Sequence, residues 1–340
     1  MTAAAKEQAE VFVQEIDKSF EEMPCFSQKK LRLTFEYNGV APTRIPIILL
    51  KGKSARPRMW IQAVVHGDEY DGAISCLRLA ERLDLHDLNG ALILVPVMNP
   101  SAFFAYQHGS PYDDNVNLNR VFGENDNHSY SWEYGRFLFT IIAAEADFHI
   151  DLHGASKLNT IARYTGTANM GNACDKTAYD IARRTGCDYI LLDNNTQSGN
   201  NRGRLNTALS MRGIPGIVFE NGGGLSWTEE AAENHIASVM QVLFEAGYIS
   251  QGEHWPESGE TFDADDYIYF ERDGLLIDYV PIGTWVKKGD VVLHMMNVET
   301  MEIEEILATK NDCFIFCIHN AAVCKKGNIA YCLARKTEGL

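Results

Sequence analysis

The sequence predicts an α/β protein, a mixed sheet covered by helices on both faces and followed by a small all-β unit. Three observations predict it. Continuous apolar runs such as 60–65 and 91–97 recur, the type of strand buried on both sides in parallel or mixed sheets. Stretches with helical spacing lie between them, so strand and helix alternate through most of the first 250 residues. Past residue 252 the texture changes to short β-rich runs separated by turn residues.

The elements follow in order. Residues 3–20 read as a surface helix, with Val11, Val13, Ile16 and Phe20 near helical spacing. Strand-like runs at 31–37 and 45–50 come next. The strand 60–65 leads into a helix at 71–83, which carries Ile74, Leu77 and Ala80 on one face. A strand at 91–97 ends at Asn99-Pro100. A helix at 131–144 precedes a strand at 147–152. Helices at 173–184 and 204–211 bracket a strand at 188–192. A strand at 214–220 and a long helix at 228–246 complete the alternation. Residues 256–265 are polar, with Pro, Gly and acids, and read as a linker. Runs at 275–280, 290–295, 313–318 and 330–333 supply the β-rich remainder. Two units are therefore expected, 1–255 and 256–340.

Composition narrows the function. The 340 residues are 46% hydrophobic and carry a formal charge of −16. Phosphate binding needs a basic footprint, so nucleic acid is excluded as a partner. No apolar run approaches the ~20 residues of a membrane span, and no apolar leader opens the chain, so neither membrane nor export is expected. The 8 cysteines lack disulfide-framework spacing and read as free thiols in a reducing cytoplasm. Cys313, Cys317, Cys324 and Cys332 read as buried small hydrophobes rather than a structural zinc site. A homo-oligomer is left open.

The chemistry concentrates at strand ends. His66-Gly67-Asp68-Glu69 closes the strand 60–65, and Asp151-Leu152-His153 closes the strand 147–152. Ligands in open α/β sheets gather at the carboxyl ends of strands. Two His and one Glu around zinc leave a fourth position open, as catalytic zinc sites do. His66, Glu69 and His153 are thus the candidate ligands. His149 competes on the same strand face, and His153 is preferred because it lies at the end. Asp151 is placed to orient a ligand. The bland reading of His-x-x-Glu is a polar turn capping a helix, and the later Asp-x-His tips the balance. Glu220 ends the strand 214–220 before three glycines, where a carboxylate can take a proton from water and pass it to a leaving nitrogen. Asn119-Arg120 suits a substrate carboxylate, although alone it reads as a surface loop.

Taken together, the motifs resemble the succinylglutamate desuccinylase/aspartoacylase family of the zinc carboxypeptidase superfamily. The features that carry the resemblance are His66-x-x-Glu69, Asn99-Pro100-Ser101-Ala102-Phe103, Asn117-Leu118-Asn119-Arg120-Val121-Phe122, Ile150-Asp151-Leu152-His153 and Gly213-Ile214-Pro215 through Glu220. The resemblance implies a zinc-carboxypeptidase-like α/β/α sandwich with a barrel-sandwich-like C-terminal domain. It implies one Zn2+ on His66, Glu69 and His153, with Glu220 as general base and acid, and Asn119 and Arg120 on the carboxylate. The implied reaction is hydrolysis of the amide of a small anionic N-acyl amino acid by a Glu-assisted, metal-bound water. The alternatives are a peptide carboxypeptidase and an inactive metal- or ligand-binding homologue. One departure stands out. The family's oxyanion arginine, upstream of the Asn-Arg pair, is replaced here by Gln107-His108-Gly109-Ser110-Pro111. His108, or one of Arg163, Arg202 and Arg204, is expected in its place.

Overall fold

Alternation along the central strands decides how the sheet is covered. In the computed structural model, which describes residues 2–113, 115–122, 126–194, 203–223 and 226–340, the first half comprises α1 (Ala3–Glu22), β1 (Ser27–Phe35), β2 (Thr43–Lys51), β3 (Arg58–Ala63), α2 (Asp71–Arg82), β4 (Ala91–Val95), α3 (Pro100–Ala105), α4 (Tyr130–Glu145) and β5 (Phe148–His153). Trp60, Ala91, Ile93 and Val95 turn to one face, into a core shared with α1 and α4. Met59, Ile61, Ala63, Leu92 and Leu94 turn to the other and pack with α2. Every residue of β3 and β4 is buried, and full burial of one such side chain is worth roughly 1.5–3 kcal/mol. That is why these strands read as unbroken apolar runs.

The chain continues through β6 (Asn159–Ile161), β7 (Tyr164–Asn169), α5 (Ala173–Ala182), β8 (Tyr189–Asn194), α6 (Leu205–Ser210), β9 (Gly216–Glu220) and α7 (Glu229–Glu245). Strands β4, β3, β5 and β9 are mutually parallel, and β7 turns back antiparallel to β9. The helices α5 and α7 join α2 on one face, and α6 joins α1 and α4 on the other. The mixed α/β/α sandwich is as expected.

The stretch 256–265 differs from its reading as a linker. From Glu260 onward it is strand β10 (Glu260–Tyr269), parallel to β8 and antiparallel to β17 (Ile329–Lys336). Acidic residues mask it in the sequence. Its anchor is Phe262, fully buried and edge-on to Phe314 at 4.4 Å between ring centroids. Pairing on both edges overrides a weak local propensity.

One sheet therefore runs through the expected boundary. Among the described residues it has 13 strands, ordered β1-β2-β4-β3-β5-β9-β7-β8-β10-β17 and then Cys313–His319 (β15) and Trp285–Val286 (β12), with β6 paired to β15. The remaining elements are β11 (Gly274–Tyr279), β13 (Val291–Met296), β14 (Ile303–Leu307) and β16 (Val323–Cys324). Strands β14-β13-β11-β16 form a separate antiparallel sheet at the C-terminus. No described helix is long and apolar enough to cross a membrane.

Candidate active site

Strand period places the first group of side chains. On β5 the apolar Phe148, Ile150 and Leu152 enter the core beside α2. His149, Asp151 and His153 are consequently on the opposite face. His66 is brought alongside by a strained exit from β3. Val64 has φ of 57°, a left-handed conformation that costs a side-chain-bearing residue roughly 1–2 kcal/mol. The turn is held by Asn99, whose N–H donates to the Val64 carbonyl at 3.0 Å and whose side-chain Nδ2 donates to Val65 O at 3.1 Å. Gly67 is required on steric grounds, since a Cβ there would lie 2.1 Å from the Ala102 carbonyl carbon.

The Glu69 carboxylate stands between two imidazoles. Its Oε1 lies 2.8 Å from His66 Nδ1, and its Oε2 lies 2.9 Å from His153 Nδ1. His153 Nε2 is 3.0 Å from Asp151 Oδ2. All four side chains are buried. Burial lowers the His66 pKa to about 4, against the pull of Glu69. Burial also opposes charge on Glu69 and His153, but the two histidines outweigh it and hold Glu69 well below the usual carboxylate range. Asp151 and Glu69 in turn raise His153 well above an ordinary histidine.

Asn117 fixes the tautomer of His66. Its Oδ1 accepts from the Asn119 backbone N–H at 2.7 Å, so that atom is an oxygen facing donors. His66 Nε2, 3.0 Å from the same oxygen, therefore carries the proton. In a neutral imidazole the other nitrogen is then a bare lone pair. With that tautomer His66 Nδ1 turns a lone pair toward a carboxylate oxygen 2.8 Å away, and a cation could bridge the two. The donor set of imidazole nitrogen and carboxylate oxygen suits zinc.

His66, Glu69 and His108 also offer ligand atoms that all lie within 4.8 Å of one another. The hydrogen bonds argue against His108 in that role. Asn117 Nδ2 donates to His108 Nε2 at 3.1 Å, which leaves the proton on Nδ1, 3.2 Å from Asp68 Oδ1. The His108 ring is stacked on His66 at 3.7 Å and 17°, so their lone pairs lie in separate, nearly parallel planes. His66 and His153 are tilted by 55°, and both Nδ1 atoms face Glu69.

A cavity of about 190 Å³ opens in front of this cluster. His66, Glu69, His108, Asn119, Arg120, Arg204 and Glu220 line it, and Tyr267, Phe316, Cys317 and Cys332 form a wall from the C-terminal strands. Glu220 is the register partner of His153. Its Oε2 is buried without a hydrogen-bond partner among the described residues. Burial, helped by Glu69 and Asp151 and opposed by His153, pushes its carboxyl up to about 8. Arg120 is half-buried, and desolvation together with the neighbouring Arg204 lowers its pKa. Its Nη1 donates to Asn119 O at 2.7 Å, and among the described residues no carboxylate pairs with it. Arg204 is ion-paired to Asp193, whose Oδ2 accepts from Asn206 at 2.8 Å.

The fold thus brings His66, Glu69, His108, Asn119, Arg120 and Glu220 to one cavity, while His153 contacts Glu69 but does not itself line it. Asn119 contributes indirectly, its Oδ1 accepting from Leu205 N at 3.0 Å and so tying the Arg120 loop to α6. His149 is buried below His153 beside Gly216 and does not line the cavity. Among the arginines considered for the oxyanion, Arg204 reaches the cavity, Arg163 turns away to Ser238 at 3.1 Å, and Arg202 lies outside the described residues. His108 reaches it as well, but both its ring nitrogens are engaged. The roles of Asn117, Asp193 and Tyr267 were not read from the sequence. Asn117 was in view as part of the Asn-x-Asn-Arg run, whereas Asp193 and Tyr267 arrive through strand pairing that no local pattern announces.

The model of the succinylglutamate desuccinylase/aspartoacylase catalytic domain matches residues 55–245. The chain belongs to this family. A curated relative is the N-alpha-acetyl-L-2,4-diaminobutyric acid deacetylase of Halomonas elongata, 24% identical over 274 residues and covering 79% of each chain. Two solved structures share the fold of this family member. A succinylglutamate desuccinylase from Silicibacter sp. TM1040 is 22% identical with a TM-score of 0.78, covering 93% of this chain and 98% of its own. The product-bound ectoine utilization protein EutE (DoeB) from Ruegeria pomeroyi is 21% identical with a TM-score of 0.79, at the same coverage. A family of deacylases and desuccinylases supports a hydrolase activity for this chain.

Proposed function

We propose that the protein is a zinc-dependent amidohydrolase that removes the acyl group from a small anionic N-acyl amino acid. The observation that carries this is the Glu69 carboxylate standing 2.8 Å from His66 Nδ1 and 2.9 Å from His153 Nδ1, at a small cavity that His66, Glu69 and Glu220 line. His66, Glu69 and His153 would hold the ion, and Asp151 orients His153 from behind. Zinc held there would supply Lewis-acid polarisation of the acyl carbonyl and lower the pKa of water from about 15.7 toward ~7.

The remaining steps belong to side chains. Glu220, with Oε2 unpartnered, takes the proton from the attacking water and delivers it to the departing amine. Arg120 receives the substrate carboxylate and sets the scissile carbonyl at the metal cluster. His108 spends its N–H on Asp68, so it acts through Asn117 on His66 rather than as an oxyanion donor. A cavity of about 190 Å³ walled by the C-terminal strands favours a small acyl amino acid over a peptide chain. The name of the Halomonas relative makes an N-acetylated diamino acid the first substrate to try.

The test measures zinc content together with acyl release from a panel of N-acetyl and N-succinyl amino acids. Bound zinc with acyl release supports the assignment. Release of C-terminal residues from peptides would make the protein a carboxypeptidase, and bound zinc without turnover on either panel an inactive binder.

A further inference from the structure

Strand β15 carries a bulge at the cavity wall. Ile315 pairs with Leu333 and Cys317 with Cys332, so two steps along β15 answer one step along β17. A bulge re-aims side chains. Here the consecutive residues Phe316 and Cys317 both line the cavity, which strict strand alternation forbids. Cys332 lines it as well. Both cysteines are free, with 7% and 1% of their surface exposed, and the Cys317 thiol is near enough to Cys332 to add to the effect of burial in raising its pKa. Directly opposed residues on antiparallel strands have Cα atoms about 4.5–5.5 Å apart, within the roughly 4.4–6.8 Å that a disulfide spans. The deacylation proposed above uses neither thiol.

We propose that Cys317 and Cys332 form an oxidisable dithiol site that closes to an intramolecular disulfide when hydrogen peroxide enters the cavity. The Cys317 sulfur, the more exposed of the two, attacks a peroxide oxygen. An S–O bond forms, the O–O bond breaks, and the departing oxygen takes a proton to leave as water. The Cys332 sulfur then attacks the sulfenic sulfur. The S–S bond forms, the S–O bond breaks, and a second water carries off the remaining thiol proton. The two sulfurs lose two electrons in total, and the peroxide gains them. Phe316, next to Cys317, packs edge-on against Tyr164 and Tyr267 at 6.0 and 6.1 Å. Closure therefore acts on the wall that receives the substrate rather than on the His66–Glu69–His153 cluster.

The full chain is treated with hydrogen peroxide, freed of the oxidant, unfolded in the presence of an alkylating reagent and digested. The expected result is a disulfide-linked peptide joining positions 317 and 332, lost on treatment with dithiothreitol. Cys332→Ser is expected to give no cross-link and instead a sulfenic acid at Cys317 that dimedone traps. Recovery of both cysteines fully alkylated, with oxidation confined to the exposed Cys25, would overturn the proposal. In a deacylation assay, oxidation should raise KM several-fold and reductant should restore it. A KM shift that persists in the Cys317→Ser/Cys332→Ser variant would sever the link to substrate fit. The peptide map needs no turnover, so it stands or falls independently of the deacylase assignment.

Discussion

Glu220 stands directly opposite His153 in the parallel pairing of β9 with β5. The proposed base and the proposed ligand are thus held by main-chain hydrogen bonds of two buried strands, not by a mobile loop. Sites built on strands hold their geometry better than sites on loops.

This rigidity makes Glu220→Gln a clean substitution. It preserves shape and should leave the metal content unchanged while turnover falls by roughly 10²–10⁴-fold, the usual worth of a positioned proton-transfer group. Elemental analysis beside the steady-state rate reads both quantities. Full activity in the variant would remove Glu220 from the mechanism.

Metal retention separates the two ligand sets that the cluster permits. His153→Ala should release the ion. His108→Ala and Asn117→Leu should keep it but weaken its affinity by about 10–100-fold, as loss of an outer partner of a ligating histidine does. Competition with a chelator measures this without any assay of turnover. The reverse pattern, with His108→Ala empty and His153→Ala loaded, would show that His66, Glu69 and His108 bind the ion instead.

Arg120→Ala removes the one guanidinium of the cavity that lacks a carboxylate partner among the described residues. A hydrogen bond to a charged group is worth about 1.5–3 kcal/mol, or roughly 10–100-fold. KM should rise by that factor, and Arg120→Lys should recover little because it loses the bidentate fork. An unchanged KM would place the substrate carboxylate elsewhere, with Arg204 the next residue to replace.

Acid should loosen the anchoring of the N-terminal helix at Glu133. The Glu133 carboxylate accepts from Thr2 N at 2.9 Å and from Arg136 Nη2 at 2.8 Å, and it meets His128 Nδ1 at 2.5 Å. Burial raises its pKa, but these partners outweigh it and bring the value from 4.5 down to about 2. The unfolded chain therefore binds this proton at higher pH than the folded one. The stabilisation is complete above 4.5 and is lost as pH falls from 4.5 through about 2. Thermal unfolding across that window should show a falling Tm, and Glu133→Gln should flatten the slope. An unchanged slope would mean that Glu133 does not couple folding to protons.

The sequence was most readable where burial was complete. Strands β3, β4 and β9 carry apolar residues on both faces because helices cover both sides of the sheet, so their composition alone marks them. Strand β5 was legible for another reason, since its His149, Asp151 and His153 stand out at alternate positions. Strands β7 and β10 were hidden, because Gly166 between two polar threonines breaks any apolar run and Asp263 and Asp266 are depleted in strands, and both are held by pairing with their neighbours. The site divides in the same way. His66, Glu69 and His153 announce themselves at strand ends, and Glu220 does so before its glycines. That Asn117 locks an imidazole, or that Asp193 occupies Arg204, depends on contacts 51 and 11 residues apart in the chain, which local spacing does not encode.

The pairing of β8 with β10 has a practical side for protein engineering. Because the C-terminal strands extend the same hydrogen-bonded ladder and furnish one wall of the reaction chamber, they cannot be exchanged as a cassette to retune selectivity. A chain cut near residue 255 would leave β8 with a raw edge inviting aggregation and a chamber missing a side. Altered selectivity is better sought by recarving Tyr267, Phe316 or Ile329 in place than by trading the unit that carries them.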